Sequence, residues 1–394
     1  MKRLKYIMLY IGLLAMNACS PEKIAPADEA EQNTEVRLVA NISGSENGSR
    51  ADTDTPEYIK TAFTAGDEIR LANTVLFSTP DFTNQKTIFT YKGYDSQKGY
   101  EFTPGKSSDT ESDSDGSSDT TDDTDGTPSI TWDDFTPTVF AYTFEAAYYP
   151  GGDPLDEIPE DQNQNNGQGF KNADLLIATS RMATADKYKD IELTFHHAFA
   201  MVRVEAIVPT GIGGLPVDAI QEAWMMNVQT AYHIDYTSTI IDGSYRTVTG
   251  SGDRTNIKMW LESKVSQNNT QTYIFLGIIP VPNPDNADEQ MIEQNDFIHF
   301  KVKVDDHTTK TYRFVPETSF KLEQAHITVL RLQLNENNVL PLLLSAEITP
   351  WTQASAEMIL DEEDPTNDTP SEGDSSDNQQ GEDQQDNQQG GTKP

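Results

Sequence analysis

The chain has 394 residues, with 64 acidic against 28 basic side chains, a net charge of −36 and a single cysteine. Such a field repels nucleic acid and anionic lipid headgroups, and it excludes a role in tracking phosphates. One thiol excludes a disulfide framework. The charge is uneven. Residues 109–134 hold ten acids and no base, residues 361–394 hold eleven acids and one lysine, and together they contribute −20.

Taken in order, residues 1–18 read as an export signal. Lys2, Arg3 and Lys5 precede an apolar run of about ten residues, too short to cross a bilayer as a helix. The window Ala15-Met16-Asn17-Ala18-Cys19 resembles a bacterial lipoprotein box, which implies that Cys19 becomes the lipidated first residue of the mature chain. Acyl chains anchor by burying CH₂ groups. Residues 19–34 are polar and read as a flexible tether.

Strand patterns begin at 35–42, where Val36, Leu38, Ala40 and Ile42 fall on one face. The loop 43–50 of poor packers ends at Arg50. Short strands are expected around 68–72, 87–91 and 99–102. Residues 105–130 read as a disordered acidic insertion, because Ser, Thr, Asp, Glu and Gly bury too little apolar area to offset ordering entropy. An aromatic strand over 139–149 follows, then a polar loop at 161–169 and strands at 174–179, 191–195 and 197–207. In the last, Phe199, Met201 and Val208 break parity, which predicts a bulge. Candidates continue at 223–229, 271–279, 297–304, 311–314 and 326–334, and 348–351 is expected to close the fold. Runs of four to ten residues rich in Val, Ile, Thr, Tyr and Phe point to an all-β chain of two antiparallel sandwich domains, 35–207 and 208–356. The acidic tail 357–394 has no core-forming pattern and is read as disordered.

Chemical motifs are scarce. His196 and His197 are adjacent, so a strand points them to opposite faces, one packed and one solvated. There is no Gly-x-Ser-x-Gly elbow, phosphate loop or dinucleotide fingerprint, and no enzymatic activity or cofactor is expected. Glu111, Asp113, Asp115, Asp119 and Asp122, with Gly116, stand near a calcium-loop register. Glutamate replaces aspartate at its first position, so a solvated acidic bristle is the simpler reading. Trp132, Trp224, Trp260 and Trp351 could stack on sugar rings. The sequence around Trp224 and Trp260 reads as core instead.

Four stretches together carry a family resemblance: Val36–Ile42 with its loop to Arg50-Ala51; Phe63-Thr64-Ala65-Gly66-Asp67-Glu68-Ile69-Arg70-Leu71; Asp174-Leu175-Leu176-Ile177-Ala178 leading to Leu193–Val204; and Ile327–Leu334 with Ile348-Thr349-Pro350-Trp351. In this order they resemble the fimbrillin family of Bacteroidales, lipoprotein subunits of type V pili. The resemblance implies transthyretin-like sandwiches, a lipidated precursor at the outer membrane, and other fimbrial subunits as partners. It implies a protease cut at Arg50, release of the first strand, and filling of the groove by a strand from another subunit. Residues 361–394 lack the alternating apolar pattern of a donor strand, so an accessory or tip subunit is expected over a repeating stalk subunit. The alternative is a non-polymerising outer-membrane lipoprotein that binds glycan or another host or bacterial surface ligand.

Overall fold

Alternation in the first strand pattern becomes burial. Val36, Leu38, Ala40 and Ile42 are all at most 1% exposed, while Arg37 faces solvent. The computed structural model describes residues 34–43, 58–75, 78–83, 88–105, 130–210, 214–238, 245–282, 291–292, 296–316, 320–335, 339–341 and 347–350. All of them fall within one compact unit, Met1–Ser355.

Seven strands build the first half: β1 (Leu38–Ile42), β2 (Glu68–Thr74), β3 (Ile88–Asp95), β4 (Gly99–Pro104), β5 (Ala141–Tyr148), β6 (Leu176–Ala183) and β7 (Ile191–His197). They close in the order β1-β4-β3-β2-β5-β6-β7, with β7 returning to β1. The all-β expectation therefore holds, but this half is a closed barrel where two stacked sheets were expected. Closure satisfies backbone groups that edge strands would leave unpaired. Side chains of period two fill the interior. On β7, Ile191, Leu193 and Phe195 point in, while Glu192 and Thr194 point out. Trp132, Phe89, Phe102 and Phe144 are fully buried in the same cluster.

Phe63 plugs this core. Its ring meets Tyr100, Phe102, Tyr148 and Phe195 edge-on, with centroids 5.2–5.6 Å apart. The turn that follows explains the Thr64-Ala65-Gly66-Asp67 phrase. Gly66 takes a φ of +93°, open to glycine at no steric cost. Asp67 then accepts from the Thr64 amide at 2.6 Å, Lys60 Nζ at 2.6 Å and the Tyr148 hydroxyl at 2.8 Å. Burial, followed by the Asp67 carboxylate, pushes the Tyr148 phenol above its ordinary range.

The second half has two sheets. One runs β10 (Val248–Lys258), β9 (Ile220–Ile234), β14 (Ile298–Lys303), β15 (Thr309–Phe314). The other runs β11 (Trp260–Gln267), β12 (Thr270–Ile279), β8 (Ala200–Pro209), β17 (His326–Leu334), β18 (Val339–Pro341), with β19 (Glu347–Pro350) also on β17. A small pair, β13 (Met291–Ile292) and β16 (Phe320–Lys321), completes the set. The sheets pack face to face. Phe275 of β12 lies 6.2 Å from Phe300 of β14, and Met225 of β9 leaves no room for a side chain at Gly277.

β8 corrects one expectation. Its register with β12 is unbroken from Ala200↔Ile279 to Pro209↔Thr270, with no bulge. Parity fails because β8 is central, between β12 and parallel β17, and its first seven residues are buried on both faces.

The polar stretch 161–169 is not a free loop. Between β5 and β6 the chain leaves the barrel and lies against the second half. Ile158 N–H donates to Thr230 O at 3.0 Å, and Lys258 N–H donates to Glu160 O at 2.7 Å. Gln162, fully buried, uses its amide as a substitute peptide group. It donates to Ile278 O at 2.7 Å and accepts from Ile278 N–H at 2.8 Å. A short helix, α1 (Gln164–Asn172), follows, interrupted by left-handed Asn165, Asn166 and Gly167. Gly167 lies flat on the Trp260 indole, where a Cβ would overlap the ring.

A buried ion pair adds to this junction. Glu145 on β5 receives Arg246 Nε at 3.1 Å and the Thr179 hydroxyl at 2.6 Å. Gln324 fixes the arginine's backbone by bonding Arg246 O and Val248 N–H, both at 3.0 Å.

Candidate assembly site

The residues with the clearest functional geometry are those of β1. Strand β1 is the barrel's closing stave. One edge pairs antiparallel with β4, Leu38↔Phe102 through Ala40↔Tyr100. The other pairs parallel with β7, Leu38↔Ile191 through Ile42↔Phe195. The hydrogen bonds extend past the strand. Trp132 N–H donates to Thr34 O at 3.0 Å, Ile191 N–H to Arg37 O at 2.9 Å, and Ser43 N–H to Phe195 O at 2.7 Å. The β3–β4 turn comes so close that Gly99, at φ +115°, has no space for a Cβ beside Asn41 and the Ala40 carbonyl.

Burial of Val36, Leu38 and Ile42 stabilises the closed barrel by about 1.5–3 kcal/mol for each side chain. The parallel half of its pairing brings together segments about 150 residues apart, so β1 is joined to the fold by contacts and not by local connectivity. Different contacts hold the chain at Tyr58. Arg203 Nη1 donates to the Tyr58 hydroxyl at 3.1 Å, and the Tyr58 ring stands edge-on to Phe170 and Trp260 at 6.4 and 6.3 Å. Removal of β1 would leave the facing edges of β4 and β7 without their partner and expose the apolar positions it fills.

Cys19, Arg50, Trp351 and the calcium candidate Glu111, Asp113, Asp115, Asp119 and Asp122 lie outside the described residues. Among the described residues, no group of three or more His, Asp or Glu side chains could hold a metal ion.

The remaining tryptophans separate. Trp132 is completely buried, with Phe135, Tyr142, Phe144 and Tyr188 around it at 5.6–6.3 Å. Trp260 is packed beneath Gly167 and Phe170. Trp224 does not belong to the core, contrary to the sequence reading. Its neighbours Ala223 and Met225 point inward, so period two turns Trp224 to the outer face, where it is half-buried. The Trp-Met-Met string hid this alternation.

The histidines divide by face as expected, but neither is freely solvated. His197 is buried with Nδ1 2.6 Å from the Asp174 carboxylate. His196 is half-buried, its ring 4.4 Å from that of Tyr245. Burial, with a smaller contribution from His197, lowers its pKa to about 4.

These features define an all-β protein whose first half is a barrel closed by β1. The fimbrillin-like family model matches residues 49–351, and the chain belongs to that family. No curated protein sequence matches it. Among solved structures, it is similar to a candidate cell adhesion protein from Bacteroides uniformis at 15% identity and a TM-score of 0.44, covering 80% of this chain and 98% of the other. The tip fimbrial protein Mfa3 from Porphyromonas gingivalis, with a C-terminal truncation, matches at 8% identity and 0.33, covering 80% and 100%. The fimbrial anchor protein Mfa2 from the same organism matches at 10% and 0.35, covering 80% and 98%.

Proposed function

We propose that this protein is a structural or adhesive subunit of a surface fimbria, and that it has no catalytic role. Family membership supports a fimbrial or adhesion subunit. The observation that supports the finer reading is the position of β1, buried and bonded on both edges, with Arg50 between it and Tyr58 in the sequence. In this reading the precursor reaches the outer membrane with lipid on Cys19. An arginine-directed cut after Arg50 then separates the lipid and β1 from the rest. A strand from another subunit enters between β4 and β7, gaining main-chain bonds from two edges and pockets at alternate positions. In this reading β1–β7 form the first domain, and the paired sheets, with β8 (Ala200–Pro209) as their central strand, form the second, so the proposed boundary falls between β7 and β8.

An accessory or tip subunit is the narrower form of this proposal. A second reading, an uncut lipoprotein that binds a surface ligand, draws support from Trp224 on the outer sheet face. Mass determination of the mature surface protein separates the two. The assembly reading expects a chain beginning at Ala51 in fimbriae and an accumulated lipidated precursor in Arg50→Ala. A surface chain that begins at lipidated Cys19 in assembled material would sink it.

A further inference from the structure

Around Trp224 the charge of this acidic molecule reverses. The hairpin of β14 and β15 carries Lys301, Lys303, Lys310 and Arg313 against only Asp305 and Asp306. Inward positions Ile298, Phe300, Tyr312 and Phe314 are buried, which leaves His299, Lys301 and Arg313 on the outer face. Register aligns them with the tryptophan. Trp224 stands opposite Lys258 on β10 and His299 on β14, and His299 stands opposite Arg313 on β15. Facing residues of paired strands lie about 4.5–5.5 Å apart at Cβ, so the indole is flanked by basic side chains across four strands.

The acids on this face are outnumbered. Glu222 is shared by Lys258 at 2.8 Å and Lys301 at 3.3 Å. Asp296 is shared by Arg313 at 3.1 Å and His299 at 3.3 Å. Glu222 neutralises one of its two lysines, Asp296 balances Arg313 with the His299 imidazole as a further partner, and Lys303 is paired with Asp306 at 2.9 Å. The result is an amphipathic aromatic ring between pre-positioned donors, with the charge of one lysine left over beside Glu222. Sugar rings stack their C–H faces on such a ring, while carboxylate or sulfate groups take the donors.

We propose that the outer face of the β9/β14/β15 sheet around Trp224 is a binding site for an acidic saccharide bearing carboxylate or sulfate groups. A short acidic oligosaccharide feels mainly the local bases, because distant charges are screened over about 8 Å at physiological salt. A nucleic-acid duplex, with a charge every ~1.7 Å, would meet the net negative field along its whole length. The site operates whether or not β1 is released, so its failure would leave the assembly reading untouched.

The test is calorimetric titration of the full chain with a chondroitin sulfate hexasaccharide and a galacturonate hexamer, with maltohexaose as the neutral control. At least one acidic probe should bind about tenfold more tightly than maltohexaose, equivalent to about 1.4 kcal/mol, and should weaken as salt is raised. Trp224→Ala and the double variant Lys301→Ala/Arg313→Ala should each lose about tenfold in affinity. Both substituted bases are exposed, so the double variant carries the test if Trp224→Ala lowers the melting temperature. Equal affinity for acidic and neutral probes, or unchanged affinity in the folded double variant, overturns the proposal. Displacement of the bound hexasaccharide by a synthetic peptide of residues 361–394, at lower concentration than the sugar itself, would assign the face to an acidic polypeptide and overturn it as well.

Discussion

The barrel and the two-sheet half bury similar strands but secure them differently. In the barrel, closure depends on β1, which enters from the far end of the sequence and completes two edges at once. In the second half, the central strand β8 lies between β12 and β17 over long registers, and the excursion between β5 and β6 is bonded to β9, β10 and β12. One half is therefore closed by its first strand, while the other has interlocked polar and apolar contacts. The proposed release of β1 requires this division.

Substitutions can break the comparison, and the largest effect is expected at the junction. Glu145→Ala leaves Arg246 buried without its partner and should cost about 3–5 kcal/mol in urea denaturation, loosening both halves together. Next is Leu38→Ala, which empties a fully buried position on β1 and should cost about 3 kcal/mol. Its loss should fall on the barrel alone, read as earlier exchange in β4 and β7 than in β8 and β12. Gln162→Ala removes both bonds to the Ile278 peptide group and should cost about 2 kcal/mol. Here the second half should loosen and β1 should stay protected.

The smallest expected effect is one of pH. His196 titrates near 4 in the folded chain but near its ordinary value of about 6.5 when unfolded. Between these values the unfolded chain binds a proton that the folded chain does not, so stability rises with pH across this window and falls on acidification from about 6.5 towards 4. His196→Gln should flatten that part of a melting-temperature profile relative to the unsubstituted chain. An unchanged slope would show that another group is responsible.

Strands with one buried face were legible in the sequence. β7 stands close to its expected position because alternation reports a single buried side, and β1 was found by the same alternation, while β2, β4 and β17 were found as apolar runs, β2 and β17 each burying four consecutive residues. β10 was missed. Its Val-Thr-Gly-Ser-Gly-Asp run contains glycines, the strand has two register shifts against β9, and that pairing rather than local propensity makes it a strand. β11 was also missed, since its exposed Ser-Lys-Val-Ser-Gln end carries little apolar signal. Barrel closure was not legible, because parallel pairing of β1 with β7 joins distant segments. Gln162 hid for another reason. A glutamine in a polar run reads as solvated until the Ile278 peptide group it completes is in view. Of the assembly site, the buried face of β1 could be read from Val36, Leu38, Ala40 and Ile42, but the two edges it completes could not.

The separable-stave account is tested most directly by hydrogen exchange on the full chain before and after limited cleavage by an arginine-specific protease, with Arg50→Ala as the control. Cleavage after Arg50 followed by loss of the N-terminal fragment should abolish protection in β4 and β7 while β8, β12 and β17 keep theirs, and the control should retain protection throughout. Retained protection in β4 and β7 after the fragment has left, or simultaneous collapse of β8, β12 and β17, would contradict it.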